Sequence, residues 1–349
     1  MDDERVNQMG EPSVRPAGAR WADLKDLAGE ALGGAYTALL ERLARASGII
    51  GTIFLKAQNE IQDPAKLRRL VGLIEAETWL GLPLDVKGAI YEGLLARNAE
   101  DVKSGAGQYF TPRALIQAMV EVVDPQPQQS VHDPTCGTGG FLLAAWEHMK
   151  RNPRAADKAT YSALRKKFSG IDIVPEVVRL AAMNLHLHGI TGTESIVEAR
   201  DALLGAGGQS FDFVLTNPPF GRKQSYRIVR DDGEIETERD DYDRADFFVT
   251  TSNKQLNFLQ HIMTILAPEG RAGVVMPDNV LFEGGAGETI RKRLLQNFDF
   301  HTLLRLPTGI FYKQGVKANV LFFDKRPPAE AAATSALWVL TCAPTGASR

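Results

Sequence analysis

The stretch Phe211-Asp212-Phe213-Val214-Leu215-Thr216-Asn217-Pro218-Pro219-Phe220 constrains the fold of this chain more than any other. Its first six residues read as a buried strand, and Asn-Pro-Pro cannot continue one because proline removes ladder donors. Both prolines fix φ near about −65°, and Asn217, standing before a proline, is pushed to extended geometry. Its side-chain amide is therefore held out at a strand end. In open α/β sheets ligands bind outside the carboxyl ends of the strands, so a rigid polar turn at such an end is a candidate site. The Asn217 side-chain oxygen and the Pro218 carbonyl can converge as two acceptors on one amino group, and Phe220 offers a flat face to a planar ring. A ring with an exocyclic amine, such as adenine, fits that description. Two acceptors favour the pyramidal amine, the form able to attack an electrophile, without a strong base. A plain strand stop is the competing reading, since Asn-Pro is a common turn starter.

A chain of 349 residues exceeds the size, roughly 250–300 residues, at which single cores stop growing, so one main domain and a smaller one are expected. A net charge of −3 and a pI near 6.1 give no overall basic footprint of the kind a self-sufficient duplex binder carries. A nucleic-acid substrate would then be held in part by another subunit. Cys136 and Cys342 stand far apart without metal-ligand spacing, so neither a disulfide framework nor a metal site is expected. Residues 1–20 are polar and charged and read as a disordered tail rather than a signal peptide. With no apolar run long enough to span a bilayer, a cytoplasmic location is the expectation.

Along the chain, residues 21–104 carry apolar residues at helical spacing (Leu39, Leu40, Leu43; Leu67, Leu70, Val71, Ile74; Ile90, Leu94, Leu95) and form a small helical domain. The catalytic domain is expected over 105–326. Gln108-Tyr109-Phe110-Thr111-Pro112-Arg113 leads into a helix over 114–123, with Thr111 as N-cap and Pro112 at the first position. Ser130 to His132 reads as a strand entering Asp133-Pro134-Thr135-Cys136-Gly137-Thr138-Gly139-Gly140, followed by a helix over 141–150. Glycines allow close approach to the backbone, and a helix N-terminus favours negative charge. The loop has neither the full Gly-x-Gly-x-x-Gly spacing nor the Gly-Lys-Ser/Thr of a P-loop, which excludes those two nucleotide-binding modes. Its leading carboxylate suits a cationic group, and S-adenosylmethionine, with an ammonium, a sulfonium and a carboxylate, matches. Cys136 is read as filler rather than nucleophile.

Phe168 to Ile173 is an apolar strand ending on Asp172, placed to accept ribose hydroxyls, although farther on than the usual spacing of about 20 residues. Pro175 starts a helix to His188 that Gly189 ends; His186 and His188 lack ligand spacing and are read as structural. A third strand over 196–199 brings Arg200-Asp201 towards the cofactor's base, or alternatively into a solvated turn. Residues 221–246 alternate basic and acidic runs and read as a solvated loop. Helices over 256–266 and 288–298, strands over 272–276 and 302–306, and a hairpin over 310–323 around Gly315 complete a mostly parallel sheet with an antiparallel edge.

These motifs in this order resemble the modification (methyltransferase) subunit of type I restriction-modification systems, an adenine-N6 DNA methyltransferase. The likeness rests on residues 107–113, 133–141, Asn184-Leu185-His186-Leu187-His188-Gly189, Asn217-Pro218-Pro219-Phe220 and Leu306-Pro307-Thr308-Gly309-Ile310-Phe311. It implies an α/β class I S-adenosylmethionine-dependent methyltransferase fold, a mostly parallel seven-stranded sheet with one antiparallel strand, behind a helical domain. It implies that Gln108, Tyr109, Phe110, Thr111, Asp133, Thr135, Gly137, Thr138, Gly139, Asp172 and Asp201 serve S-adenosyl-L-methionine. Asn217, Pro218, Pro219 and Phe220 would hold a flipped adenine. The implied partners are DNA, a separate sequence-specificity subunit and a restriction (nuclease) subunit.

The tail over 327–349 departs from the family, in which the residues after Trp338-Val339 continue differently. A frameshift after about Val339, or a truncation, is the expectation there. Two other readings of the Asn-Pro-Pro-aromatic turn stand beside DNA adenine: a protein-glutamine or RNA-guanine methyltransferase, and a subunit that binds S-adenosylmethionine without assembling.

Overall fold

The computed structural model describes residues 13, 15–77, 84–101, 111–152, 163–205, 208–220, 225–229, 235–239, 242, 244–311, 317–327 and 331–342. The helices in chain order are α1 (Ala22–Lys25), α2 (Gly29–Ala44), α3 (Gly48–Ile53), α4 (Pro64–Glu75), α5 (Leu84–Asp101), α6 (Arg113–Val123), α7 (Gly140–Lys150), α8 (Pro175–Leu187), α9 (Lys254–Ile265), α10 (Asn279–Phe282) and α11 (Ala286–Asn297). The strands are β1 (Val131–Asp133), β2 (Phe168–Asp172), β3 (Val197–Ala199), β4 (Phe211–Thr216), β5 (Ser225–Val229), β6 (Ile235–Arg239), β7 (Leu266–Pro277), β8 (Phe298–Arg305), β9 (Ala318–Lys325) and β10 (Trp338–Thr341). Two compact units emerge, one of Met1–Asp101 with Val174–Glu198 and one of Val102–Ile173 with Ala199–Arg349. The first unit is therefore discontinuous in sequence, taking in α8, which the sequence alone places with the catalytic domain.

In the helical unit, helical spacing buries Leu24, Leu32, Leu67 and Val71 together. Helix α4 starts where Asp63 accepts from the Ala65 and Lys66 amides and Pro64 supplies a pre-set φ. Gly48 has φ +67°, and a Cβ there would lie 2.2 Å from the Thr193 carbonyl oxygen. That same carbonyl accepts from Ile49 N at 2.8 Å. The Arg179 side chain on α8 donates to the Ile53 carbonyl at 3.1 Å. Gly88 on α5 leaves room for the His188 ring, whose Nδ1 lies 2.9 Å from the Asn184 carbonyl oxygen. His186 and Thr191 form a buried pair at 3.0 Å. Both histidines thus have the structural role their spacing implies.

The second unit is built on an eight-stranded sheet in the order β10-β8-β9-β7-β4-β1-β2-β3. β1 pairs in parallel with β2 and β4, and β4 with β7, while β9 runs antiparallel to both β7 and β8. Ile262, Met263, Val274, Met276, Leu321 and Phe323 are among the residues of its core. The strand order reverses between β1 and β4, and a crevice outside the carboxyl ends of the strands at such a reversal is where open α/β sheets take ligands.

The expected seven-stranded sheet with one antiparallel strand, β9, is present, and β10, where the apolar run Ala336-Leu337-Trp338-Val339 suggests a further strand, adds in parallel outside β8, from Trp338↔Thr302 to Thr341↔Arg305. Three expectations are corrected. The segment read as a tail is tied to the sheet by β10 and, ahead of it, by Thr334, whose Oγ1 donates to Phe298 O at 2.6 Å and accepts from Phe300 N at 2.9 Å. The pairing runs on past Val339 to a bond from Cys342 N to Arg305 O. Of the hairpin expected over 310–323 as an antiparallel edge, residues 312–316, Gly315 among them, lie outside the described residues, and β9 is an interior strand rather than an edge, its Leu321 pairing with Val274 on one side and Leu303 on the other. The continuous apolar run Val320 to Phe323 on β9, buried throughout, suits a strand covered on both faces, and which strands flank it is not a local signal. Within the segment read as a solvated loop, β5 and β6 pair antiparallel from Ser225↔Arg239 to Val229↔Ile235.

Candidate functional site

The candidate site forms where β1, β2 and β4 end. β4 is buried from Phe213 to Thr216, and the prolines stop it as expected. Asn217 is half-buried, Pro218 buried and Pro219 exposed, so Pro219 stiffens the turn without walling a pocket. Phe220 is buried and meets Phe311 edge to face, with centroids 5.7 Å apart. Phe311, from the Leu306-Pro307-Thr308-Gly309-Ile310-Phe311 motif, is therefore the support for the ring of the turn, a role no local pattern announces.

The Asn217 amide has two differently treated ends. Its Nδ2 donates to Thr111 Oγ1 at 2.9 Å, and its Oδ1 is buried with no hydrogen-bond partner among the described residues. A buried carbonyl oxygen left without a donor costs about 1–3 kcal/mol, which a ligand bringing an N–H to it would offset. Thr111 does not cap α6 as the sequence suggests; the helix starts at Arg113 with Pro112 at its cap position and no side-chain cap bond. Its hydroxyl serves Asn217 instead. Gln108, Tyr109 and Phe110 lie outside the described residues.

The glycine-rich loop is fixed to the sheet on both sides. Cys136 N donates to Ile171 O at 2.7 Å and Gly137 N to Asp172 Oδ2 at 3.1 Å, so the end of β2 and the loop hold each other. Gly137 at φ +53° and Gly139 at φ +83° turn the chain into α7. A Cβ at Gly137 would meet no atom within 4 Å, so the loop leaves open room over its backbone. Asp133 is fully buried: its Oδ1 accepts from Thr135 N at 3.0 Å and from Thr216 Oγ1 at 2.6 Å. Burial raises its pKa to about 7, opposed by those two hydrogen bonds and assisted by the nearby Asp172. Through Oδ1, Asp133 thus braces the loop against the end of β4. Thr135 Oγ1 and Thr216 Oγ1 are 2.6 Å apart, which joins the loop to the residue before Asn217.

Burial, with Asp133 and Asp172 nearby, pushes the Cys136 thiol well up, so it stays protonated as a filler. His132 stacks on Phe211 at 4.1 Å and is lowered to about 3 by burial and then by Arg200, so it is neutral. Asp201 caps the short turn Ala202–Leu204 through Leu203 N and accepts from the Tyr242 hydroxyl at 2.8 Å. Both of its oxygens are engaged within the protein. Tyr242 carries a signal in the sequence, an aromatic ring inside an acidic run with little else to bury. Asp172 is half-buried at the end of β2, and Thr138 lies in the loop before α7. Among the described residues no group of three His, Cys, Asp or Glu side chains could hold a metal ion.

A family model described as N-6 DNA Methylase matches residues 83–343. The chain belongs to the N-6 DNA methylase family. Relatives include the methylase subunit of type I restriction enzyme StySPI of Salmonella potsdam, 41% identical over 94% of this chain and 63% of that protein. The EcoKI methylase subunit of Escherichia coli K12 is 39% identical over the same shares. This N-6 methylase chain thus spans about 63% of the length of those curated relatives. Among solved structures, a modification subunit assigned to a type I restriction enzyme of Vibrio vulnificus matches with a TM-score of 0.80 at 28% identity, over 99% of this chain and 75% of that one. The EcoKI M protein matches with 0.57 at 33% identity, over 99% and 66%. These are the relatives to which the order of motifs points.

Proposed function

We propose that this chain transfers a methyl group from S-adenosyl-L-methionine to the N6 amine of an adenine flipped out of DNA, as the modification subunit of a type I restriction-modification system. The observation that carries the proposal is the buried Asn217 Oδ1 at the carboxyl end of β4, which has no hydrogen-bond partner among the described residues. An exocyclic amine brings the donor this oxygen lacks, and the Pro218 carbonyl can take the second proton. Phe220, held by Phe311, offers the base a face on which to stack. A base inside a duplex cannot reach such a recessed turn, so flipping, at a few kcal/mol, is part of the reaction.

The residues present fit the cofactor. Gly137 leaves its backbone approachable, and the Asp172 carboxylate stands at the strand end where ribose hydroxyls are held. When bound, S-adenosylmethionine supplies a methyl group on a sulfonium. The protein's own part is position: the Thr135–Thr216 contact keeps loop and turn in register, and Asp133 fixes both from below. The carry-over of Tyr109 and its neighbours rests on the motif alone. Protein glutamine and RNA guanine are less well supported as targets than DNA adenine, given the family and the relatives' names.

A net charge of −3 favours a partner that reads the DNA sequence, and a nuclease subunit would join for restriction. The test is methyl transfer to genomic DNA by the full chain with and without the neighbouring specificity subunit, followed by mapping of modified bases. N6-methyladenine at one recurring sequence, dependent on the partner, is expected; transfer to RNA or protein alone would overturn the proposal.

A further inference from the structure

The polar contact of Asn217 with Thr111 is unlike the rest of the site, because it touches the end of the amide that does not accept. We infer that Thr111 is a positioning residue for Asn217, anchoring one end of its amide so that the other is held towards the substrate. The inference rests on the adenine reading of the site.

A primary amide presents an oxygen at one end and two N–H donors at the other, and a half-turn about its last bond exchanges them. Only one orientation serves an amine donor. The reversed one would set N–H against N–H and remove an acceptor. With Nδ2 donating to Thr111 Oγ1 at 2.9 Å, the oxygen is the end left over, buried and with no partner among the described residues. A hydroxyl can serve either end of an amide, so the remaining contact decides, and an amine at the remaining end selects oxygen. Thr111 is itself well placed to be rigid: it is half-buried, and Pro112 after it has a fixed φ of −57° at the mouth of α6. A contact between residues 106 positions apart thus ties the start of α6 to the catalytic turn.

The test uses the full chain with its specificity subunit and a duplex containing the mapped site. Thr111→Val keeps the side chain's shape and removes the hydroxyl. Its kcat is expected to fall roughly tenfold, with the dissociation constant for S-adenosylmethionine within twofold of the parent. Thr111→Ser, which keeps the hydroxyl, should restore most of the rate, an outcome loss of packing would not produce. Asn217→Ala is run beside them. If Asn217→Ala is inactive while Thr111→Val turns over like the parent, the positioning role is wrong and the reading of the site stands. If Thr111→Val loses cofactor affinity but keeps its kcat at saturation, Thr111 is a cofactor contact, which also overturns the inference. If Asn217→Ala itself methylates adenine at the parent's rate, the underlying reading fails first.

Discussion

Two residues carry opposite kinds of information. Asn217 Oδ1 has no partner among the described residues where one is costly to lack, and substitution of Asn217 by Ala is expected to reduce methyl transfer by about 10²–10³. Cofactor affinity should be nearly unchanged if the oxygen serves the base as proposed; single-turnover rates and calorimetry on the same preparation separate the two effects. Asp133 is instead buried and bonded through Oδ1, and burial raises its carboxyl above the ordinary range. With its pKa raised by burial to about 7, the folded chain holds that proton where the unfolded chain, with an ordinary carboxyl, has released it. The stabilising contribution is complete below about pH 4 and is lost as pH rises to about 7. Asp133→Asn can keep the bonds to Thr135 and Thr216 without that loss. Urea unfolding should therefore show the parent losing stability relative to the variant between pH 5 and pH 8. The difference is of order a few kcal/mol, because each tenfold change in a proton's affinity corresponds to about 1.4 kcal/mol. Parallel pH curves would show that Asp133 is not a buried acid.

At the scale of elements, what is legible in the sequence follows from how local each signal is. The strand β4 and its stop are readable because proline acts on its own residue and the one before. The loop, α7, β2 and α8 are readable for the same reason, being marked by glycine, proline and apolar runs. Thr111 escapes such a reading because an N-cap pattern is local, whereas its actual partner lies in another element. The brace at Asp133 depends on Thr216 from a third. The β5–β6 hairpin is hidden by its charges, yet Asp232-Gly233 between the two runs is a strong hairpin turn signal. Gly48 permits a direct test at this scale. Its left-handed φ and the Thr193 carbonyl 2.2 Å from a Cβ position leave Ala no place to go. Gly48→Ala should destabilise the helical unit by more than the roughly 1 kcal/mol of backbone strain, read as a lowered melting temperature. A calorimetric trace like the parent's would refute that contact.

For the whole molecule, charge is the governing quantity. Forty basic and 43 acidic residues leave few phosphates that this chain can neutralise alone. Its binding to duplex DNA should be weak, indifferent to sequence and shallow in salt dependence. Titrations between 50 and 200 mM salt check this, against the loss of about 10³–10⁵ shown over that range by a protein making many phosphate contacts. A tight sequence-specific complex by the chain alone would contradict the dependence on a partner. The sheet adds a geometric fact at this scale: its outermost strand, β10, leaves Trp338, Val339 and Leu340 exposed at 70%, 56% and 50%.

The discontinuity of the helical unit has a consequence for how such a chain can be shortened. Because residues 174–198 return to the helices of 1–101, the polypeptide leaves and re-enters the helical unit within the span that builds the methylase sheet. Cutting at residue 101 would not release a self-contained catalytic piece. It would strip α8 of the carbonyl of Ile53 that Arg179 grips, and free the Thr193 carbonyl from Ile49. The remainder would carry α8 stripped of those companions, so a shortened chain keeps that helix intact only if it keeps the helices of residues 1–101 with it.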